Sequence, residues 1–431
     1  MKICMIGLGY IGLPTAAMFA KSGLEVVGVD IMPTIVETLN NGEVPIEEPG
    51  LAPLVQEVVG NGRLRASLFP EQADAFIISV PTPNREDEYK SCDLSAVLHA
   101  TRQLLPYLQS GNTIIIESTI APRSTEDFIQ PLIEEAGWTI GKDIFLVHCP
   151  ERVLPGQILH ELVHNNRIVG GVTPACAEAA EYLYKKFVKG DIIKTNAKTA
   201  EMSKLIENTF RDVNIALANE LAKLCHELGI NVYDVIQMAN KHPRVNVHQP
   251  GPGVGGHCLA VDPYFIVAKA PETAKMIQLA RDINVSMPEY VVDQVKALLH
   301  TIDRPKIVVL GITYKANIDD IRESPALEII EKLKGQGAQV IIYDPHVHKG
   351  FYKEQPLEET VEEAHMLLLL TDHDEFKSLN YDQLAMKMKN PLLFDTRHCI
   401  PEIPWKTMQV FNFGNLYEEA NSPSEAQYIK S

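Results

Sequence analysis

Residues 2–30 read as strand, glycine turn, helix and strand, and no other stretch constrains the fold as strongly. Lys2 to Ile6 is a short apolar run, Gly7-Leu-Gly9-Tyr-Ile-Gly12 follows it, and Leu13 to Ser22 has helical composition with Pro14 near its start. Glu25 to Val29 is a second strand ending at Asp30. A GxGxxG pattern alone is weak, but between a strand and a helix, with an acidic strand end behind it, it specifies a dinucleotide turn. Gly7 permits the tight turn, Gly9 lets a pyrophosphate come close, Gly12 lets the helix pack on the strand, and Tyr10 and Ile11 complete the cofactor-binding turn. Asp30 is placed to accept hydrogen bonds from both ribose hydroxyls and would repel a 2′-phosphate, so the expected cofactor is NAD rather than NADP.

Further units of the same kind follow. Ala75 to Val80 ends in Pro81-Thr82-Pro83, Thr113 to Glu117 ends in Ser118-Thr119, and Ile144 to Cys149 ends in Pro150-Glu151-Arg152. In an open parallel sheet the ligand lies across the carboxyl ends of the strands, so Thr82, Thr119 and Glu151 are expected to converge on the cofactor. Taken singly, a threonine after a strand reads more readily as a helix cap. From Thr199 to Leu228 no glycine or proline interrupts a helical pattern, which predicts one long helix. On it Lys204 and Asn208 are four apart and share a face; Glu201 lies one turn before Lys204, the spacing of an ordinary surface ion pair.

Thr273 to Leu299 is again helical apart from Pro288, and Asp303-Arg304-Pro305 marks a boundary. Beyond it the alternation resumes with Lys306 to Leu310, Gln339 to Tyr343, Met366 to Leu370 and Leu392 to Phe394. This second region lacks GxGxxG and is not expected to hold a second dinucleotide in the same manner. The polar tail from Tyr417 is expected to fray. The fold class is therefore α/β, with two doubly wound Rossmann-like domains joined by a long central helix. The divisions expected are 1–195 for NAD, 196–300 for a central helical part, and 301–431 for a second Rossmann-like domain.

The net charge of -17 argues against a nucleic-acid or anionic-membrane partner, since those surfaces need clustered Lys and Arg, yet it leaves room for a small anionic ligand. The longest strongly apolar run, Met366 to Leu370, is far short of the roughly 20 residues that cross a bilayer. The amino terminus has no secretory pattern, so a cytoplasmic location is expected. Seven scattered cysteines without a CxxC pair indicate neither a disulfide framework nor a cysteine-rich zinc site, and no metal is expected.

One stretch carries the candidate chemistry: Gly251 to Phe265, GPGVGGHCLAVDPYF. Its glycines let the backbone approach a ligand closely, Cys258 is the candidate nucleophile, and Asp262 is placed to hold or deprotonate a water beside the sulfur. The competing view makes Cys258 a small buried hydrophobe and Asp262-Pro263 the start of the helix YFIVAKA.

Together these motifs resemble the UDP-glucose/GDP-mannose dehydrogenase family over nearly the whole chain: GLGYIG at 7–12, STIAP at 118–122, PER at 150–152, KLIENTFRDVNIALANEL at 204–221, GVGGHCLAVDP at 253–263, LGITYKANIDDIRESP at 310–325 and FDTR at 394–397. Within the family, the stretch around Cys258 is similar to the UDP-N-acetyl-mannosamine branch. UDP-glucose members have a serine before the cysteine and a lysine before the aspartate, where this chain has His257 and Val261.

The resemblance implies a two-step, NAD-dependent oxidation of a UDP-sugar at C6, with a homodimer as the working form. It implies that Cys258 forms a thiohemiacetal and then a thioester, that Asp262 holds a water as base, and that Lys204 and Asn208 stabilise the oxyanion. It also implies that Glu151 assists hydrolysis and that Thr119 belongs to the catalytic and cofactor set. Arg322 is implied to reach the cofactor. Substrate contacts fall to Glu151, Arg152, Lys204, Asn208, Gly255, His257, Lys315 and Arg397, with Arg244 donated across the dimer. Alternatives are a dehydrogenase for UDP-N-acetyl-glucosamine, UDP-N-acetyl-galactosamine or UDP-glucose, and a non-catalytic nucleotide-sugar-binding homologue.

Overall fold

A computed structural model describes residues 1–347, 355–401 and 405–420. The chain forms two compact units, one of residues 1–207 with 264–274, the other of residues 208–263 with 275–431.

The first unit holds an eight-stranded sheet: β1 (Lys2–Ile6), β2 (Glu25–Val29), β3 (Leu64–Ser67), β4 (Ala75–Ile78), β5 (Thr113–Ile116), β6 (Phe145–His148), β7 (Arg167–Gly171) and β8 (Ile192–Asn196). Their spatial order is β3-β2-β1-β4-β5-β6-β7-β8. The first six follow the doubly wound dinucleotide order, with the switch point between β1 and β4. β7 then pairs antiparallel to β6, and β8 runs parallel to β7. Strands such as KICMI and TIII are almost continuously apolar and almost wholly buried, as strands must be when helices cover both faces of a parallel sheet. The helix Leu51–Gly60 buries Leu51, Leu54, Val55 and Val58, one face of a 3.6-residue repeat.

The second unit holds a five-stranded parallel sheet of β9 (Lys306–Leu310), β10 (Gln339–Tyr343), β11 (Met366–Leu369), β12 (Leu392–Asp395) and β13 (Gln409–Asn412), in the order β10-β9-β11-β12-β13. This is the other common doubly wound order, with its switch point between β9 and β11. Alternate residues serve opposite faces: Val309, Leu368 and Phe394 pack with Ile329, Ile330 and Leu333 of the helix Pro325–Gly335, while Val308, Leu367 and Leu393 pack with Phe376 and Tyr381.

The long helix is present as Ala197–Leu228, 32 residues and about 48 Å at 1.5 Å per residue. Three expectations change in detail. The segment from Thr273 to Leu299 is two helices, Lys275–Val285 and Met287–Leu298, because Pro288 lacks an N–H and sits in the first turn of a new helix, where none is needed. β4, β5 and β6 stop at Ile78, Ile116 and His148, before the ends of their apolar runs. The tail expected to fray begins with a short helix, Tyr417–Ala420, and its remainder lies outside the described residues.

Candidate active site

In the first unit the glycine turn has the geometry its sequence requires. Gly7 has φ +95°, and a Cβ there would lie 2.2 Å from the carbonyl oxygen of Ser79; a Cβ on Gly12 would lie 1.9 Å from the Gly7 oxygen. Both are glycine because the protein itself closes in. Gly9 differs, since a Cβ there would meet nothing within 4 Å. What Gly9 keeps clear is space outside the protein, beside the helix Gly12–Lys21. Asp30 is half-buried; its Oδ2 accepts from the Leu8 amide at 3.1 Å and its Oδ1 from the Met32 amide at 3.0 Å. The carboxylate is thus fixed against the turn. Tyr10 is exposed and Ile11 half-buried. These residues fit NAD: a cleared backbone and helix terminus for the pyrophosphate and an oriented carboxylate for the ribose.

At the ends of β4 and β5, the Thr82 hydroxyl donates to the Thr119 carbonyl at 2.6 Å, so these two residues are brought together. Glu151, after β6, is held by the Arg152 amide at 2.6 Å and by a close contact with the Arg167 guanidinium. Behind it lies an array that sequence reading missed. Glu117 and Tyr184 are both buried, the Tyr184 hydroxyl donates to Glu117 at 2.6 Å, and Arg167 stands 3.7 Å from Glu117 and over the Tyr184 ring. Burial pushes the Glu117 carboxyl up to about 7 against the pull of Arg167. Glu117 was detectable only as a charge beside Ser118; nothing local marks Arg167. Arg152 forms a two-point pair with Glu207 at 3.0 and 2.7 Å.

Glu201 is not on the surface. It is fully buried and accepts from the amides of Arg123 and Thr125 and from the Thr125 hydroxyl at 2.5, 2.8 and 2.6 Å. Burial still raises its carboxyl to about 7. The surface pair with Lys204 is replaced by a clamp on the loop that follows β5, and Lys204 itself is half-buried on the helix.

In the second unit, Cys258 is exposed, whereas Cys4, Cys92, Cys149, Cys176 and Cys225 are buried and Cys399 is partly so. The reading of Cys258 as a buried hydrophobe therefore fails. The helix does begin where that reading put it, at Asp262–Lys269, and the Cys258 carbonyl accepts from the amides of Val261 and Asp262. Two asparagines of the long helix bracket the loop. The Gly251 amide donates to Asn219 at 2.9 Å, and Asn208 donates to the buried carboxylate of Asp262 at 2.6 Å. Residues 208 and 219 are three turns apart and share a face.

The glycines of this loop are approached by the protein. A Cβ on Gly251 would lie 2.8 Å from Nη1 of Arg397, on Gly253 2.8 Å from Pro325, on Gly255 2.4 Å from the Glu323 oxygen, and on Gly256 2.8 Å from the Tyr314 ring. Arg397 also donates to Asp372 at 3.1 Å. Arg322 is exposed and gripped by Asp320 at 2.8 and 2.6 Å. Lys315 is exposed, with its carbonyl fixed by the Thr313 hydroxyl at 2.8 Å; His257 and Arg244 are exposed. His346, His373 and Glu375 cluster closely enough to suggest a metal. However, the Asn317 amide donates to Nδ1 of His373, and its Nε2 faces Asp344 at 3.2 Å, so this imidazole is already committed.

A glycine turn shaped for a pyrophosphate, on a sheet of the dinucleotide order, defines the first unit as that of an NAD-binding dehydrogenase. Sequence models of the UDP-glucose/GDP-mannose dehydrogenase family match in three parts, the NAD binding domain at residues 1–188, the central domain at 198–286 and the UDP binding domain at 308–402. The chain is 49% identical over 412 residues to the UDP-N-acetyl-D-mannosamine dehydrogenase of Methanococcus maripaludis, covering 94% of each chain. It is 47% identical to the NDP-N-acetyl-D-galactosaminuronic acid dehydrogenase of Ralstonia nicotianae, covering 92% of this chain and 95% of the relative. The solved UDP-N-acetyl-mannosamine dehydrogenase of Staphylococcus aureus superposes with a TM-score of 0.89 at 55% identity, covering 97% of this chain and all of that one. The chain belongs to the UDP-glucose/GDP-mannose dehydrogenase family.

Proposed function

We propose that this family member oxidises UDP-N-acetyl-D-mannosamine at C6 to the uronate, a four-electron reaction using two NAD+. The observation that carries the covalent mechanism is Cys258, an exposed thiol in a loop anchored at both ends on the long helix. The substrate rests on the likeness to relatives named for it and on His257 and Val261 in the loop.

Bound NAD+ supplies the hydride acceptor for both oxidations, held by Gly7, Gly9, Gly12, Asp30, Thr82 and Thr119. Asp262, oriented by Asn208, holds a water that takes the C6 hydroxyl proton as the alcohol becomes an aldehyde. The Cys258 thiolate adds to the aldehyde carbon, and Lys204 and Asn208 stabilise the oxygen of the thiohemiacetal. Loss of a second hydride leaves a thioester. Water, guided by Glu151, then releases the carboxylate and returns the thiol. Arg322 reaches the cofactor, and Lys315, Arg397, Arg152, His257 and the Gly255 backbone contact the substrate.

The division of labour is 1–195 for NAD, 196–300 for the nucleophile, and 301–431 for the UDP-sugar. A homodimer is supported by the long helix, where Met202, Ile206, Phe210, Leu217, Leu224 and Leu228 are exposed at spacings of four and seven, an apolar strip suited to a second copy. Arg244 then serves the partner's site. Dependence on NAD favours a cytoplasmic location; no helix among the described residues is long and apolar enough to cross a membrane.

A second reading, a galactosamine-type substrate, is favoured by the Ralstonia relative. NADH yield with limiting UDP-N-acetyl-mannosamine, UDP-N-acetyl-galactosamine, UDP-N-acetyl-glucosamine and UDP-glucose tests both. Two NADH per UDP-N-acetyl-mannosamine, with slow turnover of the rest, is expected. One NADH per sugar would remove the thioester, and none with any sugar would leave a binding protein. Cys258→Ser is expected to stop the second oxidation, and uronate formation at the parent rate would refute the covalent route.

A further inference from the structure

The four glycines before Cys258 raise a question that the chemistry at the thiol leaves open: why the backbone there must be bare on the side facing the protein. Gly256 has φ +80°, and a Cβ on it would lie 2.8, 3.0 and 3.1 Å from Cε2, Cδ2 and Cζ of Tyr314. The aromatic ring occupies the place a side chain would take. A Cβ on Gly255 would be 2.8 Å from Tyr314 Cβ and 3.0 Å from Pro325 Cδ, and the Gly256 amide donates to the Arg322 carbonyl at 3.2 Å. The nucleophile loop therefore rests directly on residues 314–325, with no flexible side chain of its own between them.

Residues 311–324 connect β9 to the helix Pro325–Gly335, at the switch point of the UDP-binding domain, where open α/β sheets receive their ligands. The start of this segment is fixed firmly to the sheet. The Ile312 amide donates to Asp344 at 2.7 Å, the Thr371 hydroxyl to the Thr313 carbonyl at 2.7 Å, and the Asn317 amide to His373 at 2.9 Å. Two non-glycine residues, Asn317 at φ 60° and Glu323 at φ 52°, hold left-handed backbone within it. Such conformations persist only where the surroundings enforce them. Tyr314, which precedes the exposed Lys315 in the chain, lies against Gly256, two residues before the thiol.

We propose that Tyr314 is a positioning residue that couples occupancy of the UDP-binding domain to Cys258. The ring transmits the arrangement of the Lys315 segment to the nucleophile loop by direct contact with glycine backbone. A nucleotide diphosphate engaged by that segment thus presets the thiol before the sugar reacts. The proposal deepens the functional reading above and rests on it for the thiol's catalytic meaning and for the place of Lys315 in the nucleotide site.

The test uses the full-length protein and UDP, which has no sugar to react. Alkylation of Cys258 by iodoacetamide is followed by mass spectrometry of the peptide containing it, with and without saturating UDP, and UDP affinity is measured by calorimetry. In the parent, UDP is expected to change the alkylation rate about fivefold or more, the lower end of common coupling strengths. Tyr314→Phe keeps the ring and is expected to keep the response. Tyr314→Ala is expected to bind UDP yet lose the response; Tyr314→Leu, which retains bulk, serves if the alanine variant does not fold.

An alkylation rate indifferent to UDP in the parent overturns the coupling. A full UDP response in a folded Tyr314→Ala or Tyr314→Leu variant also overturns it, because UDP would then be shielding the thiol directly. Failure of the functional reading looks different: Cys258→Ser would keep full uronate synthesis, whatever UDP does to alkylation of the parent.

Discussion

In the first sheet, a positive-φ glycine, Gly7, follows β1, and an aspartate, Asp30, follows β2 and accepts from the amide of the next residue, Leu8. The second sheet repeats this corner. Gly311 follows β9 with φ +83°, and Asp344 follows β10 and accepts from the amide of Ile312. In each case a Cβ on the glycine would strike the end of the neighbouring central strand, Ser79 in one and Thr371 in the other. The difference lies in what remains open. The first turn enters its helix at Gly12, whereas the second runs on to Pro325. Asp30 is half-buried. Asp344 is only 4% exposed and also receives the amides of His346 and Val347 and the His373 imidazole. The corner is therefore scaffolding in both sheets, and a dinucleotide site only where the carboxylate keeps an open side.

The largest expected effect separates the two aspartates. Asp344→Ala strands several buried donors and is expected to cost on the order of 3 kcal/mol, read as a lower unfolding midpoint, with NAD affinity unchanged in the folded fraction. Asp30→Ala is expected to lower NAD affinity roughly tenfold or more, with a smaller drop in the midpoint than Asp344→Ala because its two amide hydrogen bonds are less buried. Equal losses of NAD affinity in both variants would break the comparison.

Within the first turn, Gly7→Ala is expected to destabilise the fold by about 2 kcal/mol, through left-handed strain and collision with Ser79. Gly9→Ala is expected to fold normally and bind NAD several-fold more weakly. A Gly9→Ala protein with parent affinity would remove the pyrophosphate from that face.

The smallest effect is in pH dependence and concerns the buried groups that set the two sheets apart. Burial pushes the Glu117 carboxyl up to about 7 in the folded chain, against an ordinary value of 4.5. Its contribution is therefore fully present below the ordinary value and is lost as pH rises through about 7. Glu201 acts in the same direction. His148, buried and pushed down to about 3 from 6.5, acts oppositely: its contribution is present above 6.5 and lost as pH falls toward 3. Glu117→Gln is expected to reduce the decline in unfolding midpoints between about pH 4.5 and 7, leaving the change caused by His148 intact. An unchanged slope would place that carboxyl in its ordinary range.

What the sequence makes legible follows from locality. β1, the glycine turn, Asp30 and the long helix are each readable because their patterns are contiguous. Cys258 stands out through its neighbours, but whether it is exposed depends on residues 208, 219 and 314–325, which no spacing rule reaches. Glu201 reads as a surface charge because its three donors lie near residue 124, more than seventy positions away. Pro288 was visible, but its meaning as a helix start rather than an interruption depends on the break at Ser286. The Arg167 array behind Glu151 and the closing of Asp344 by His373 are products of tertiary assembly. The substrate branch is suggested by the stretch around Cys258, with His257 and Val261, and by whole-chain likeness, whereas the shape that reads a sugar's C2 group is spelled by no short motif.

The division of the chain into 1–207 with 264–274, and 208–263 with 275–431, also bears on synthesis at the ribosome. The first unit lacks the segment bearing the buried Tyr264 and Phe265, and Lys269 beside Asp127, until residue 274 has emerged. By then the intervening residues 208–263, which belong to the other unit, are already outside and still without the sheet they pack on. Neither unit can be released by a single cut, and a stop anywhere between 207 and 274 leaves both incomplete. The nascent chain thus carries an unfinished first unit and an orphaned glycine loop together, the stage at which chaperones and proteases would find the most to bind.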